Sequence, residues 1–134
     1  MRVLIDTNIL LSASLNDQGI PFQAYKKAVT FPHKGVVSDQ NIDELRRVYN
    51  RKFPARLHAL ERFLAMVLPT LEIVETPAED ISDEAHIRDA KDRPILRAAV
   101  HAKVDILITG DKDFLESGLA NPKIMTAAAF VEAE

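Results

Sequence analysis

The sequence predicts an α/β domain built on a parallel sheet with helices packed on both faces, a three-layer α/β/α arrangement. Three observations predict it. Short apolar runs alternate along the chain with stretches whose apolar residues recur at helical spacing, the pattern of strands joined by crossover helices. Two of those runs end at carboxylates, in Asp6-Thr7-Asn8 and in Gly110-Asp111-Lys112-Asp113. The length, 134 residues, suits a single domain spanning residues 1–134, with one core that needs no cross-links.

Residues 2 to 6 are expected as a short buried strand that turns at Asp6-Thr7-Asn8 into a helix placing Ile9, Leu10 and Ala13 on one face. Asn16 to Pro21 ends that helix, and Phe22 to Thr30 supplies a second. Pro32-His33-Lys34-Gly35 is a break. Val36 and Val37 then give a brief strand, and Ser38 or Asp39 is a good N-cap for the next helix. From Asn41 to Phe53, Ile42, Leu45 and Tyr49 fall at i, i+3 and i+7, an amphipathic helix facing a core. Pro54 stops it, and Leu57, Leu60, Leu64 and Val67 repeat the pattern in a second arm closed by Pro69.

Glu72 to Glu75 is a further short strand, and Pro77 to Arg88 an acidic, irregular connection. Pro94 suits the first turn of a helix carrying Ile95, Leu96, Ala98, Ala99 and Ala102. The strand Asp105 to Thr109, a turn, the strand Lys123 to Met125 and a short helix holding Phe130 and Val131 complete the chain.

Composition narrows the function. The net charge of −3 with 28% charged residues argues against a wholly electrostatic grip on nucleic acid, while leaving room for a local basic groove. The absence of cysteine excludes disulfides, zinc–thiolate sites and thiol nucleophiles, and makes a reducing cytoplasm the expected compartment. The first residues lack the basic start and long apolar stretch of a signal peptide, because Asp6 interrupts them. No apolar run approaches the ~18 to 20 residues needed to span a bilayer, so no membrane association is expected.

In a parallel sheet, strand ends carrying Asp6 and Asp111 open into one crevice, where ligands of such sheets bind. Two more acids stand at helix starts: Glu44, after Ser38, and Asp92, ahead of Pro94. Two carboxylates held ~4 Å apart repel by about 4 kcal/mol at an effective dielectric near 20, so four converging acids must bind protons or recruit a cation. With oxygen ligands alone, Mg²⁺ or Mn²⁺ is the expected ion, and its chemistry there is phosphodiester hydrolysis by activated water. Asp43 offers an alternative to Glu44, and Asp89 to Asp92. Each acid taken singly also suits a helix cap or first turn. Gly110 is expected to allow a turn and close backbone approach beside Asp111.

Together, Asp6-Thr7-Asn8, Glu44 six residues after Ser38, Asp92 followed by Ile95, and Thr109-Gly110-Asp111-Lys112-Asp113-Phe114 resemble the PIN domain in order and interval. The resemblance runs from Arg2 to Val131 and is similar to stand-alone bacterial PIN proteins regarded as toxins of toxin–antitoxin pairs. It implies a five-stranded parallel sheet and a metal-dependent ribonuclease acting on single-stranded RNA. It places the acidic quartet on Asp6, Glu44, Asp92 and Asp111, with Asp113 as a fifth acid at the metal. It also implies that Thr7 or Asn8 holds water or a neighbouring carboxylate, that Thr109 supports the site by hydrogen bonding, that an antitoxin is a partner, and that the protein forms a homodimer.

Arg46, Arg47, Arg51, Lys52 and Arg56 form the densest basic stretch. Arg47 and Arg51 come one and two helical turns after Glu44 and are the candidates for tracking an RNA backbone. His33, His58, His86 and His101 show no metal-ligand spacing and are expected at the surface or at caps. Two other functions share some of these features: a catalytically inactive PIN scaffold that binds RNA or a protein, and an aspartyl-phosphate phosphatase or receiver-like domain using Asp6. The second is weakened by Asn8, which stands where another aspartate is needed.

Overall fold

The structure is a computed structural model that describes residues 1–133. Its elements run β1 (Arg2–Ile5), α1 (Thr7–Leu15), α2 (Ile20–Ala28), β2 (Lys34–Ser38), α3 (Asp39–Lys52), α4 (Leu57–Val67), β3 (Glu72–Val74), α5 (Arg93–His101), β4 (Ile106–Ile108), α6 (Lys112–Leu115), β5 (Lys123–Met125) and α7 (Ala127–Glu132). The five strands form one sheet in the order β3-β2-β1-β4-β5, and every pairing is parallel.

Strand residues alternate between two cores, as the two-residue period of a pleated strand requires. Val3, Ile5, Val37, Ile106 and Ile108 face a core completed by α1, α2, α3, α4 and α7. Leu4, Val36 and Leu107 face the opposite core, with Ile95, Leu96 and Ala99 of α5 and Phe114 of α6. Connections that run from β1 through β2 to β3 and those that run back through β4 to β5 travel in opposite directions along the sheet. Parallel crossovers are right-handed, so the two sets of helices land on opposite faces. The expected three-layer α/β/α architecture is what the chain adopts.

The direction of travel reverses between β1 and β4, and a crevice opens beyond the carboxyl ends of strands at such a switch point. Ile5 pairs in register with Ile108, so the residues that leave these strands, Asp6 and Thr109, emerge side by side. The Asp6 amide still donates to the Ile108 carbonyl at 3.0 Å.

Several boundaries differ from expectation. The second helix ends at Ala28 rather than Thr30, and α3 begins at Asp39 because Ser38 and Asn41 form a reciprocal capping box. Gly35 is needed where it stands, since a Cβ there would lie 2.7 Å from the Leu71 side chain and 2.9 Å from Val29. The connection expected to be irregular contains a turn of 3₁₀ helix, Ser82–His86, that buries Glu84. Arg97 of α5 donates to both Glu84 carboxylate oxygens, at 2.8 and 3.1 Å, and to the Pro77 carbonyl at 2.9 Å, tying this segment to the helix that starts at the site. No helix among the described residues is long and apolar enough to cross a membrane.

Candidate metal centre

Asp6 lies at the bottom of the crevice, 8% exposed. It is the N-cap of α1 and accepts from the Thr7 amide at 2.8 Å. Its second oxygen accepts from the Thr109 hydroxyl at 2.8 Å, and Thr109 Oγ1 in turn accepts from the Asp111 amide at 3.0 Å. One short chain of hydrogen bonds thus fixes the ends of β1 and β4 relative to each other. Asn8 is exposed beside it, its carbonyl oxygen accepting from the Gly110 amide at 3.4 Å.

Burial, together with the negative charges of Glu44 and Asp111, pushes the Asp6 carboxyl up to about 6, against the lowering effect of the Thr109 and Thr7 donors. Asp92 is displaced further. Burial, a hydrogen bond shared with Asp111 and the charges of Asp111, Asp89 and Asp6 push its carboxyl up to about 8. Asp92 occupies the N-cap position of α5, yet its side chain makes no capping hydrogen bond, so it faces its fellow acids instead. Asp111 does both things, capping α6 by accepting from the Asp113 amide at 2.9 Å while contacting Asp92.

Carboxylate oxygens of Asp89, Asp92 and Asp113 all lie within 4.8 Å of one another. Asp89 and Asp92, which the sequence offered as alternatives, therefore stand together. Asp113 joins them and is ion-paired to Arg88 at 2.9 Å. Glu44 stands at the rim of the crevice: it is exposed on α3 and reaches Asp6 only through its charge. Asp43, the alternative to Glu44, is likewise exposed on α3, and its charge acts on Arg46. Arg47 and Arg51 are exposed on the same helix as Glu44, whereas Arg46 is held by Glu61 at 3.1 Å.

The acids around the crevice offer only oxygen donors, and two of them, Asp6 and Asp92, are placed so that they hold protons that isolated carboxyls would release. That donor set fits a hard divalent cation, which removes the conflict by supplying positive charge. Gly110 differs from expectation. Its φ is not in the left-handed region, which among the described glycines is adopted by Gly118, and a Cβ on it would meet Asn8 at an ordinary 3.7 Å.

Sequence reasoning missed Asn41. Its side chain is fully buried, donates to Thr7 Oγ1 at 2.8 Å and to Asp6 Oδ1 at 3.5 Å, and accepts from the Ser38 hydroxyl at 2.9 Å. The signal was present, because Asn41 shares the buried stripe of Leu45 and Tyr49 at i, i+4 and i+8. A polar side chain on an apolar stripe needs a partner. His33 also departs from expectation: it is half-buried and packs edge-on against Phe130 with ring centroids 5.4 Å apart.

Solved structures share this fold. VapBC2 from Rickettsia felis, crystallised bound to a DNA fragment from its promoter, superposes with a TM-score of 0.69 at 18% identity, covering 94% of this chain and 98% of that one. The protein PAE2754 from Pyrobaculum aerophilum gives 0.66 at 16% identity, over 98% and 88% of the two chains. VapC20 from Mycobacterium tuberculosis, a sarcin–ricin loop cleaving toxin, gives 0.62 at 14% identity, over 88% and 96%. No curated protein matches the chain in sequence. Residues 2–113 match the family model of the PIN domain, and with a match over most of its length the chain belongs to the PIN-domain family.

Proposed function

We propose that this chain is a Mg²⁺- or Mn²⁺-dependent endoribonuclease that cleaves single-stranded RNA, and that it acts as the toxin of a toxin–antitoxin pair. The observation that carries the proposal is the convergence of carboxylates at the β1/β4 switch point, where Asp6 and Asp92 are pushed up to about 6 and about 8 by burial and by neighbouring acids. Crowding of this kind destabilises an empty site and favours a loaded one. Membership of the PIN family and the likeness of fold to VapC20 and VapBC2 support the same conclusion.

In this proposal Asp6, Glu44, Asp92 and Asp111 hold the metal, with Asp113 completing the set. When bound, the ion supplies a water of lowered pKa and neutralises charge on the scissile phosphate. Thr109 and the Thr7 amide hold Asp6 in one orientation, so its lone pairs stay aimed at the crevice. Asn41 keeps the Thr7 hydroxyl oriented. Asp92, hydrogen-bonded to Asp111, holds a proton in the metal-free protein and would give it up when the ion binds. Asn8, exposed at the mouth, is placed to hold water or substrate. Arg47 and Arg51, exposed on α3 one and two helical turns after Glu44, would bind the phosphates of an extended RNA strand.

The proposed partners are the RNA, an antitoxin and a second copy of the chain. The apolar side chains exposed on α1 and α4, Leu15 at 38% and Met66 at 57%, offer surface for protein contacts. The direct test is incubation of a mixed pool of single-stranded RNA oligonucleotides with the purified protein. Cleavage is expected with Mg²⁺ or Mn²⁺, and none is expected with EDTA or in Asp6→Asn and Asp111→Asn. RNA binding without cleavage would instead identify an inactive scaffold.

A further inference from the structure

Among the described residues, Arg88 is the one cation in ion-pair contact with any of the site's acids. Its Nη2 lies 2.9 Å from Asp113 Oδ1 and 3.3 Å from Glu116 Oε2. The two partners differ in setting, since the Asp113 side chain is 25% exposed and belongs to the Asp89–Asp92–Asp113 group, while that of Glu116 is 57% exposed and lies outside it. Arg88 itself is 65% exposed and directly precedes Asp89.

We infer that Arg88 is a displaceable counter-ion of the metal centre: it occupies Asp113 while the site is empty and moves wholly onto Glu116 when a divalent cation takes Asp113. The inference rests on the proposed metal centre and specifies how that site is regulated. A guanidinium at 2.9 Å and a divalent ion bound at about 2.1 Å would place two positive charges on the Asp113 carboxylate. Two cations on one carboxylate repel, so occupancy by one weakens the other. Glu116 provides the resting place because the same nitrogen already reaches it. Arg88 has little to hold it in place, being exposed on a short connection, and an exposed pair of this kind exchanges at small cost. Metal uptake at this half of the centre is therefore an exchange of cations.

The test is calorimetric titration of Mn²⁺ into the full chain and into Arg88→Gln, Glu116→Gln and Arg88→Lys. Arg88→Gln removes the competitor and is expected to bind Mn²⁺ about fivefold more tightly, the scale set by an exposed ion pair. Glu116→Gln removes the resting place and is expected to bind about as much more weakly. Arg88→Lys keeps the charge and is expected to stay close to the unsubstituted chain. Opposite signs for Arg88→Gln and Glu116→Gln distinguish exchange from simple support of Asp113, which would make both variants weaker. Equal affinities throughout, or weaker binding by Arg88→Gln, would overturn the inference. Failure of the metal reading shows itself differently, as an absence of Mn²⁺ uptake by the unsubstituted chain and Arg88→Gln alike, and that result overturns both.

Discussion

The hydroxyl of Thr109 donates to Asp6 Oδ2 at 2.8 Å, joining two strand ends that are 103 positions apart in sequence. Because both groups are buried, the contact fixes the carboxylate and restrains its titration, holding it lower than burial alone would place it.

Replacing Thr109 by valine keeps the shape and removes the donor. The buried Asp6 oxygen is then unpaired, and stability is expected to fall by about 1–3 kcal/mol in urea unfolding. The Asp6 carboxyl rises further above about 6, so the acid limb of the pH–rate profile moves to higher pH. Thr109→Ser is expected to restore both. An unchanged profile in the valine variant would show that the hydroxyl has no hold on Asp6.

The raised carboxyls make the metal-free protein sensitive to alkali in a defined direction. A carboxyl whose folded value lies above 3.8 contributes stability in its protonated form, in full below 3.8, and that contribution is lost as pH rises through about 6 for Asp6 and about 8 for Asp92. Asp92→Asn keeps the neutral form at every pH. In EDTA at about pH 8.5 it is expected to melt higher than the unsubstituted chain by roughly 4 °C, as about 1 kcal/mol does in a chain of this size. At about pH 4 the two melting temperatures should converge.

Loading the site must expel the protons held there. At pH 7 Asp92 is protonated in the empty site, and Mn²⁺ binding is expected to release about one proton. Calorimetry in two buffers of different ionisation enthalpy measures the number directly. Release should fall towards zero above about pH 9, where the site is already anionic, and should be much reduced near pH 7 in Asp92→Asn.

Arg47 and Arg51 are exposed on α3, and their proposed contacts are with phosphates. Each change to glutamine is expected to reduce the slope of log affinity against log salt for a single-stranded RNA by roughly one unit, with little effect on base preference. Arg46, paired with Glu61, serves as a control whose substitution should leave the slope nearly unchanged.

Much of the site could be read from the chain because strand ends and helix starts leave local marks. Asp6 and Asp111 interrupt apolar runs at glycine- or asparagine-bearing turns, and Asp92 precedes Pro94. Their convergence comes from sheet order, which short buried strands and crossover helices already constrain. The features that the chain concealed depend on distant partners. Glu84 looks like one more acid in an acidic connection, and only Arg97, thirteen positions on, explains its burial. Asn41 completes a local capping box with Ser38, but its bonds to Thr7 and Asp6 cross 34 and 35 positions. Asp89 and Asp92 appeared as rivals because spacing alone cannot show that a turn of 3₁₀ helix, Ala90–Asp92, brings both to the crevice.

The most direct measurement is a crystal structure of the protein grown with Mn²⁺, with the ion located by anomalous scattering. An anomalous peak within bonding distance of Asp6, Asp92 and Asp111, with Thr109 still donating to Asp6, is the predicted result. Well-ordered carboxylates at the β1/β4 crevice with no ion between them, at millimolar Mn²⁺, would contradict it.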